Sequence, residues 1–340
     1  MAGSGNAHLR EADDALLRVE NLVVTYPTDA GVVHGVSDVS IDVRRGETLG
    51  LVGESGCGKS TLGRAMTMLR EPTSGRVLFD GKDLTGLSRE GLRRLRPRLQ
   101  VIFQDPASSL NPRRTVRKII AEGLEIWGRK PTPEVVDEMI SAVGLDPAVV
   151  GERRPGQMSG GQCQRVAIAR ALMLKPDLIL CDEPVSSLDV SIQAQILNLL
   201  ERLRVDYGLT LIFIAHDLAV VKNISDRIAV MYLGKLCEVA PSGDLHRYPA
   251  HPYTRALIDA VPVADPEVEI VPMEIRGDLP SPINPPSGCR FRTRCPLATD
   301  LCAEREPEIR EVRPGHYAAC HYATTQPLPA DAPTAEPVTV

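Results

Sequence analysis

The nine residues GESGCGKST, Gly53 to Thr61, constrain the fold more than any other stretch, because they match the spacing G-x-x-x-x-G-K-[ST]. An apolar run, ETLGLVG, leads into them and STLGRAMTML leaves them with helical spacing. The pattern predicts strand, phosphate loop, helix. Gly56 and Gly58 let the backbone turn so that successive N–H groups converge on phosphate oxygens at the positive end of the following helix. Lys59 brings a point charge to the outer phosphates, and the Ser60 hydroxyl is a ligand for Mg2+. Gly53, Glu54, Ser55, Cys57 and Thr61 complete the cradle.

A second acidic element belongs with this loop. In LILCDEP four apolar residues of a buried strand end in Asp182 and Glu183, at the carboxyl end where parallel sheets bind ligands. Asp182 is placed to hold Mg2+, and Glu183 to take a proton from a water in line with a terminal phosphate. Strands and helices alternate from there through SIQAQILNLLERLR and LTLIFIAHD to RIAVMYLGKLCEVA, so the fold class is α/β with a mostly parallel core sheet. Alternating LLRVENLVVTY and VSDVSIDVRRGE predict an antiparallel β-subdomain at the start. Residues 106–175 read as a helical subdomain, with TVRKIIAEGLEIWG and EVVDEMISAVG as amphipathic segments.

The chain of 340 residues accommodates one main domain and one appendage. We place a nucleotide-binding domain at 16–260 and a cysteine-rich module at 261–322, entered through a proline-rich linker. Disorder is expected at 1–15 and 323–340, which lack hydrophobic periodicity. A formal charge of −5 argues against a nucleic-acid partner. No apolar run reaches membrane-spanning length, and the start has no export-signal pattern, so membrane work is expected to go through partners.

The segment MSGGQCQRVAIARAL, from Met158, resembles the signature of ATP-binding cassette proteins, and the other cassette elements stand in the family's order. The resemblance implies a P-loop NTPase fold of the cassette type, binding ATP and Mg2+. It gives Tyr26 the adenine-stacking role, Gln104 the part of the glutamine that senses the γ-phosphate and Mg2+, SSLD up to Asp189 that of the D-loop, and His216 that of the switch histidine. It also implies that Ser159, Gly160, Gly161 and Gln162 act on ATP held by an opposite subunit. A helix N-terminus with a serine hydroxyl suits that task, since it adds donors around an anion.

Three further stretches, FQDPASSLNPRRTV, HPYTRALIDAVP and LPSPINPPSGCRFRTRCP, resemble the ATPase subunits of bacterial oligopeptide and dipeptide importers. That family implies a second, related ATPase chain forming a heterodimer, two membrane-spanning permeases, an extracytoplasmic peptide-binding protein, and a place on the cytoplasmic face of the inner membrane. Nickel, glutathione and some sugar importers share the pattern. A soluble cassette ATPase acting on DNA or ribosomes usually has two cassettes or a long coiled coil, and neither is present. The sequence departs from the family where Gly156, Gln157 and Met158 replace the common His, Glu and Leu or Phe, and Gln157 lacks the acid's charge.

Cys57, Cys163, Cys181 and Cys237 are scattered and need no function beyond filling apolar space. Cys289, Cys295, Cys302 and Cys320 concentrate near the C-terminus. An iron-sulfur cluster, a zinc ion and unligated thiols are all open on spacing alone. The family's C-terminal module implies a 4Fe-4S cluster. Arg290, Arg292 and Arg294 would either offset the cluster's charge or form a solvated basic turn.

Overall fold

The structure is a computed structural model, and it describes residues 5–261, 273, 275–324 and 326. The chain forms two compact units, one of residues 1–87 with 214–340 and the other of residues 88–213. The first unit opens with the long strands β1 (Ala15–Thr28) and β2 (Gly31–Arg44), which pair antiparallel with Val19 opposite Ile41 and Tyr26 opposite Val33. After β3 (Thr48–Val52) and α1 (Lys59–Met66) come β4 (Ser74–Phe79) and β5 (Lys82–Asp83), giving the antiparallel sheet β2-β1-β4-β5. Leu17, Val19, Leu22, Val39, Ile41, Val77 and Phe79 of this sheet are buried, as the alternating pattern requires.

Residues 5–15, expected to be disordered, are instead held against this sheet. His8 is buried and its Nε2 lies 2.5 Å from the Ser40 carbonyl oxygen, while Arg10 pairs with Asp42 at 2.6 Å and with Glu47. Arg227 binds the same two carboxylates, Glu47 at 2.9 Å, so the acids sit between two guanidinium groups. Composition alone concealed this, because the anchoring groups are polar and their partners lie far along the chain. Most of the tail expected at 323–340 lies outside the described residues, as does most of the linker after 261; Thr324 donates to the Ala250 carbonyl.

The second unit carries the helical region and three strands. In chain order it contains α2 (Arg89–Leu95), β6 (Leu99–Ile102), α3 (Pro106–Ser109), α4 (Val116–Ile126), α5 (Pro133–Ala142), α6 (Pro147–Val150), α7 (Gly160–Leu172), β7 (Leu178–Asp182), α8 (Val190–Tyr207) and β8 (Thr210–Ala215). β6 and β7 pair in parallel, Leu99 opposite Leu178 and Ile102 opposite Cys181. Burial of every β7 residue explains its unbroken apolar run up to Asp182. The helical stretch expected at 106–175 is therefore part of a larger unit that also includes strands on either side of it.

Within β8 the chain returns to the first unit, which continues with α9 (Leu218–Ile224), β9 (Arg227–Tyr232) and β10 (Lys235–Pro241). β9 runs parallel to β3, and β9 and β10 form a hairpin whose two loop residues, Leu233 and Gly234, both have positive φ. Next come α10 (Ser242–Arg247), α11 (Pro252–Asp259), α12 (Asp300–Glu304), β11 (Arg310–Arg313) and β12 (His316–Ala318). β12 pairs antiparallel with β10, Val239 opposite Tyr317, so strand order here is β11-β12-β10-β9-β3. The C-terminal segment is thus part of the first unit, with β11 and β12 extending its sheet, rather than a body of its own. Buried Glu238 of β10 fastens it: the carboxylate accepts from the Ala250 and His251 amides, each at 2.8 Å, and meets His316 Nε2 at 2.6 Å.

Candidate nucleotide site

The phosphate loop leaves β3 and enters α1 through three glycines of positive φ, Gly53, Gly56 and Gly58. A Cβ at Gly53 would run into the Met231 carbonyl of β9, and one at Gly58 would run into the Gly35 carbonyl of β2, so both positions need glycine for space as well as for φ. Lys59 is buried, and its ammonium donates to the carbonyls of Gly53 (2.7 Å) and Glu54 (3.0 Å), which holds the charge over the loop. Ser60 and Thr61 stand in the first turn of α1. Tyr26 of β1 reaches the same helix: its hydroxyl lies 3.4 Å from Thr61 Oγ1. The Arg70 guanidinium stacks 4.5 Å from the centroid of the Tyr26 ring. His216 follows β8 and precedes Asp217, which caps α9 by accepting from the Ala219 amide at 2.8 Å.

In the second unit the acidic pair ends β7. Asp182 is buried, and Glu183 turns away with φ of 49°, a conformation uncommon for a residue with a side chain. The turn presents its carboxylate to Gln104, whose Nε2 donates to Glu183 Oε2 at 3.0 Å. The structure thus brings together two expected site residues that are 79 positions apart. The Ser186 hydroxyl closes the turn on the Glu183 carbonyl at 3.1 Å. Asp189 caps α8, accepting from the Ile192 amide at 3.0 Å, and that bond holds its carboxyl below the usual range.

The signature residues begin α7 with reciprocal capping. Ser159 Oγ accepts from the Gln162 amide (3.3 Å), and Gln162 Oε1 accepts from the Ser159 amide (3.1 Å). Ser159 and Gly160 are exposed, while Gly161 is buried close to Ile192 of α8. Gln157, which replaces an acid, uses its carbonyl oxygen to accept from the Arg154 amide at 2.9 Å, a contact that requires an acceptor but no charge.

Two residues not expected at the nucleotide site contact the phosphate loop. Tyr253 of α11 accepts a hydrogen bond from the Glu54 amide at 2.8 Å, and Arg294 Nη1 bonds both carboxylate oxygens of Glu54 at 3.0 and 2.8 Å. The signal for Tyr253 was the HPYTRAL motif, where His251 caps α11 by accepting from the Tyr253 amide at 3.0 Å. Arg290 donates to the Leu233 carbonyl in a part-buried setting, whereas Arg292 donates to the Ser287 carbonyl at 3.0 Å in an exposed one.

Cys289, Cys295, Cys302 and Cys320 line one pocket, with Phe291, Leu297 and Tyr322 among its walls, and none is in a disulfide. Burial pushes the Cys289 thiol up to about 11 and Cys320 up to about 12. Among the described residues no group of three or more His, Cys, Asp or Glu is placed to hold a metal ion, so neither the zinc nor the cluster reading gains support here. Cys237, expected to be a plain core thiol, is buried beside Cys289.

The sheet order, the phosphate loop and the capped signature helix define an ATPase of the cassette class. Residues 36–186 match the family model described as ABC transporter, and residues 237–302 match that described as oligopeptide/dipeptide transporter, C-terminal region. YkfD of Bacillus subtilis strain 168 is 53% identical over 315 residues, covering 90% of this chain and 95% of YkfD. The oligopeptide transport ATP-binding protein AppF of the same organism is 51% identical over 302 residues, covering 87% and 92%. The dimeric ATP-binding cassette MJ0796, solved with ADP and Pi, has a TM-score of 0.61 at 28% identity and covers 66% of this chain and 98% of its own. The chain belongs to the ATP-binding proteins of oligopeptide and dipeptide ABC transporters. No helix among the described residues is long and apolar enough to cross a membrane.

Proposed function

We propose that this chain hydrolyses ATP to energise import of oligopeptides or dipeptides, working at the cytoplasmic face of the membrane. It pairs with a second, related ATPase chain beneath two permeases, and an extracytoplasmic binding protein supplies the peptide. One observation carries the catalytic part of the reading: the Gln104–Glu183 hydrogen bond at the end of β7, in a chain whose C-terminal region matches the oligopeptide transporter model.

The phosphates of ATP lie on the amides of Gly53–Thr61, and Lys59 exchanges its loop carbonyls for the outer phosphates. Tyr26 stacks on adenine. Glu183 takes the proton of the attacking water, Gln104 orients the Glu183 carboxylate, and His216 contacts the γ-phosphate side of the reaction. Ser60, Gln104 and buried Asp182 supply the hard oxygen donors that Mg2+ prefers, and Mg2+ when bound offsets phosphate charge. Ser159, Gly160, Gly161 and Gln162 serve nucleotide held by the partner ATPase, with Asp189 on the same side. Because that contact exists only in the closed pair, ATP favours closure by its differential affinity, and hydrolysis releases it.

Cys289, Cys295, Cys302 and Cys320 would be the ligands of a 4Fe-4S cluster, which would cross-link the segment when bound; that all four line one pocket supports this reading. Co-expression with two permeases and the second ATPase, followed by an ATPase assay on the purified complex with added peptide, tests the function. Peptide-stimulated phosphate release is expected. A complex that forms but ignores every peptide mixture removes the peptide assignment.

A further inference from the structure

Seven residues, CRFRTRC from Cys289 to Cys295, begin and end at cysteines that line the cysteine pocket, and Arg294 of this segment pairs with Glu54 of the phosphate loop. Phe291 is buried in an aromatic cluster, 5.2 Å from Tyr232 and 5.4 Å from Tyr253 by ring centroid. Tyr253 in turn accepts the Glu54 amide proton. Arg290 binds the carbonyl of Leu233 in the β9–β10 turn, and the next residue of that turn, Gly234, donates to the Cys57 carbonyl of the loop at 2.7 Å. Arg294 takes the Glu54 carboxylate with both oxygens engaged, its side chain only 11% exposed. The loop is therefore held at Glu54 from two directions and at Cys57 from a third.

Phosphate binding needs the loop amides to converge before the ligand arrives, and an unbraced glycine-rich loop loses backbone entropy on ordering. A charge-assisted pair in a half-buried setting is among the stronger ways to avoid that cost. We propose that Cys289–Cys295 is a brace for the phosphate loop, with Arg294 as the positioning residue that acts through Glu54, so that ATP affinity depends on the integrity of the cysteine pocket. The inference rests on ATP binding by Gly53–Thr61 and goes beyond it by giving the C-terminal segment a part in that binding.

The test is an equilibrium titration of the full purified chain with a fluorescent ATP analogue, alongside KM and kcat in the assembled transporter. Arg294→Gln is expected to weaken binding and raise KM roughly tenfold while kcat stays within about twofold. Arg292→Gln, which removes a guanidinium that bonds Ser287 rather than the phosphate loop, leaves the affinity unchanged. Exchanging the charges, Glu54→Arg with Arg294→Glu, recovers most of the affinity. Wild-type affinity in Arg294→Gln overturns the proposal. So does a loss that the exchanged pair does not recover and that tracks a lowered Tm. A wild-type chain that binds no nucleotide defeats the ATPase reading instead, which is a separate result.

Discussion

Gln104 donates to the Glu183 carboxylate at 3.0 Å, and Glu183 holds this position through a left-handed backbone at the end of β7. The strain has a use. It turns the carboxylate away from the line of the strand and onto a glutamine from another loop, so that a protein contact sets its orientation.

Glu183→Gln keeps an acceptor for Gln104 but cannot take a proton. Turnover is expected to fall by about 10²-fold to 10⁴-fold, the usual worth of a general base. ATP affinity stays near wild type, so single-turnover phosphate release is the decisive measurement. Undiminished release would remove Glu183 from the base role.

Ser159 caps α7, and the proposed function gives it a second, separable duty, contact with the partner's nucleotide. Ser159→Ala should cost ~1 kcal/mol of stability through the lost cap. Ser159→Asp preserves a cap acceptor, so its Tm stays close to wild type, yet its charge repels phosphate. ATPase activity of the assembled transporter is therefore expected to collapse in the aspartate variant despite normal folding. Normal activity there would show that Ser159 only caps the helix.

Acid should unfold the protein in two stages. Burial lowers His8 below its ordinary value, and lowers His246 and His251 to about 4. Each therefore favours its neutral form in the fold; the stability that His246 and His251 contribute is complete above about 6.5 and is lost as pH falls from there toward 4, and that of His8 is lost in the same direction. Burial alone would raise Asp42, but Arg227 and Arg10 outweigh it and keep its carboxyl below the ordinary 3.8. Its contribution is present above that value and disappears only at lower pH. Urea midpoints measured from pH 7 to 3 should fall across the histidine window first. Asp42→Asn should remove the steeper loss at the acid end, and a profile with the wild-type slope there would reject this account.

Arg10→Ala tests the N-terminal anchor. Removing one of two guanidinium partners from a buried carboxylate pair is expected to destabilise the chain by about 2 kcal/mol. A change under ~0.5 kcal/mol in urea denaturation would mean that residues 5–15 contribute little to the fold.

Much of the site was legible because its chemistry is local. A phosphate cradle needs glycine, lysine and a hydroxyl within one turn, and the spacing of Gly53 to Thr61 displays that directly. Apolar runs ending in Asp182 and Glu183 gave the strand and its carboxyl end. The N-terminal anchor was not legible, since Arg10, Asp42, Glu47 and Arg227 look like ordinary surface charges until the sheet brings them together. Nor did the sequence disclose what the arginines of CRFRTRC bind.

The sequence by itself determined the chemical parts: a loop for triphosphate, an acid pair at a strand end, a serine-led helix start and four clustered thiols. Each is encoded by residues within a few positions of one another, where spacing dictates geometry. Only the tertiary structure decided which parts bear on which. Arg294 and Glu54 are 240 positions apart, and no local pattern ties them. The hairpin of β9 and β10, the pairing of β12 with β10 and the burial of Phe291 bring them within hydrogen-bond distance, because ion pairing at that range depends on the path of the whole chain.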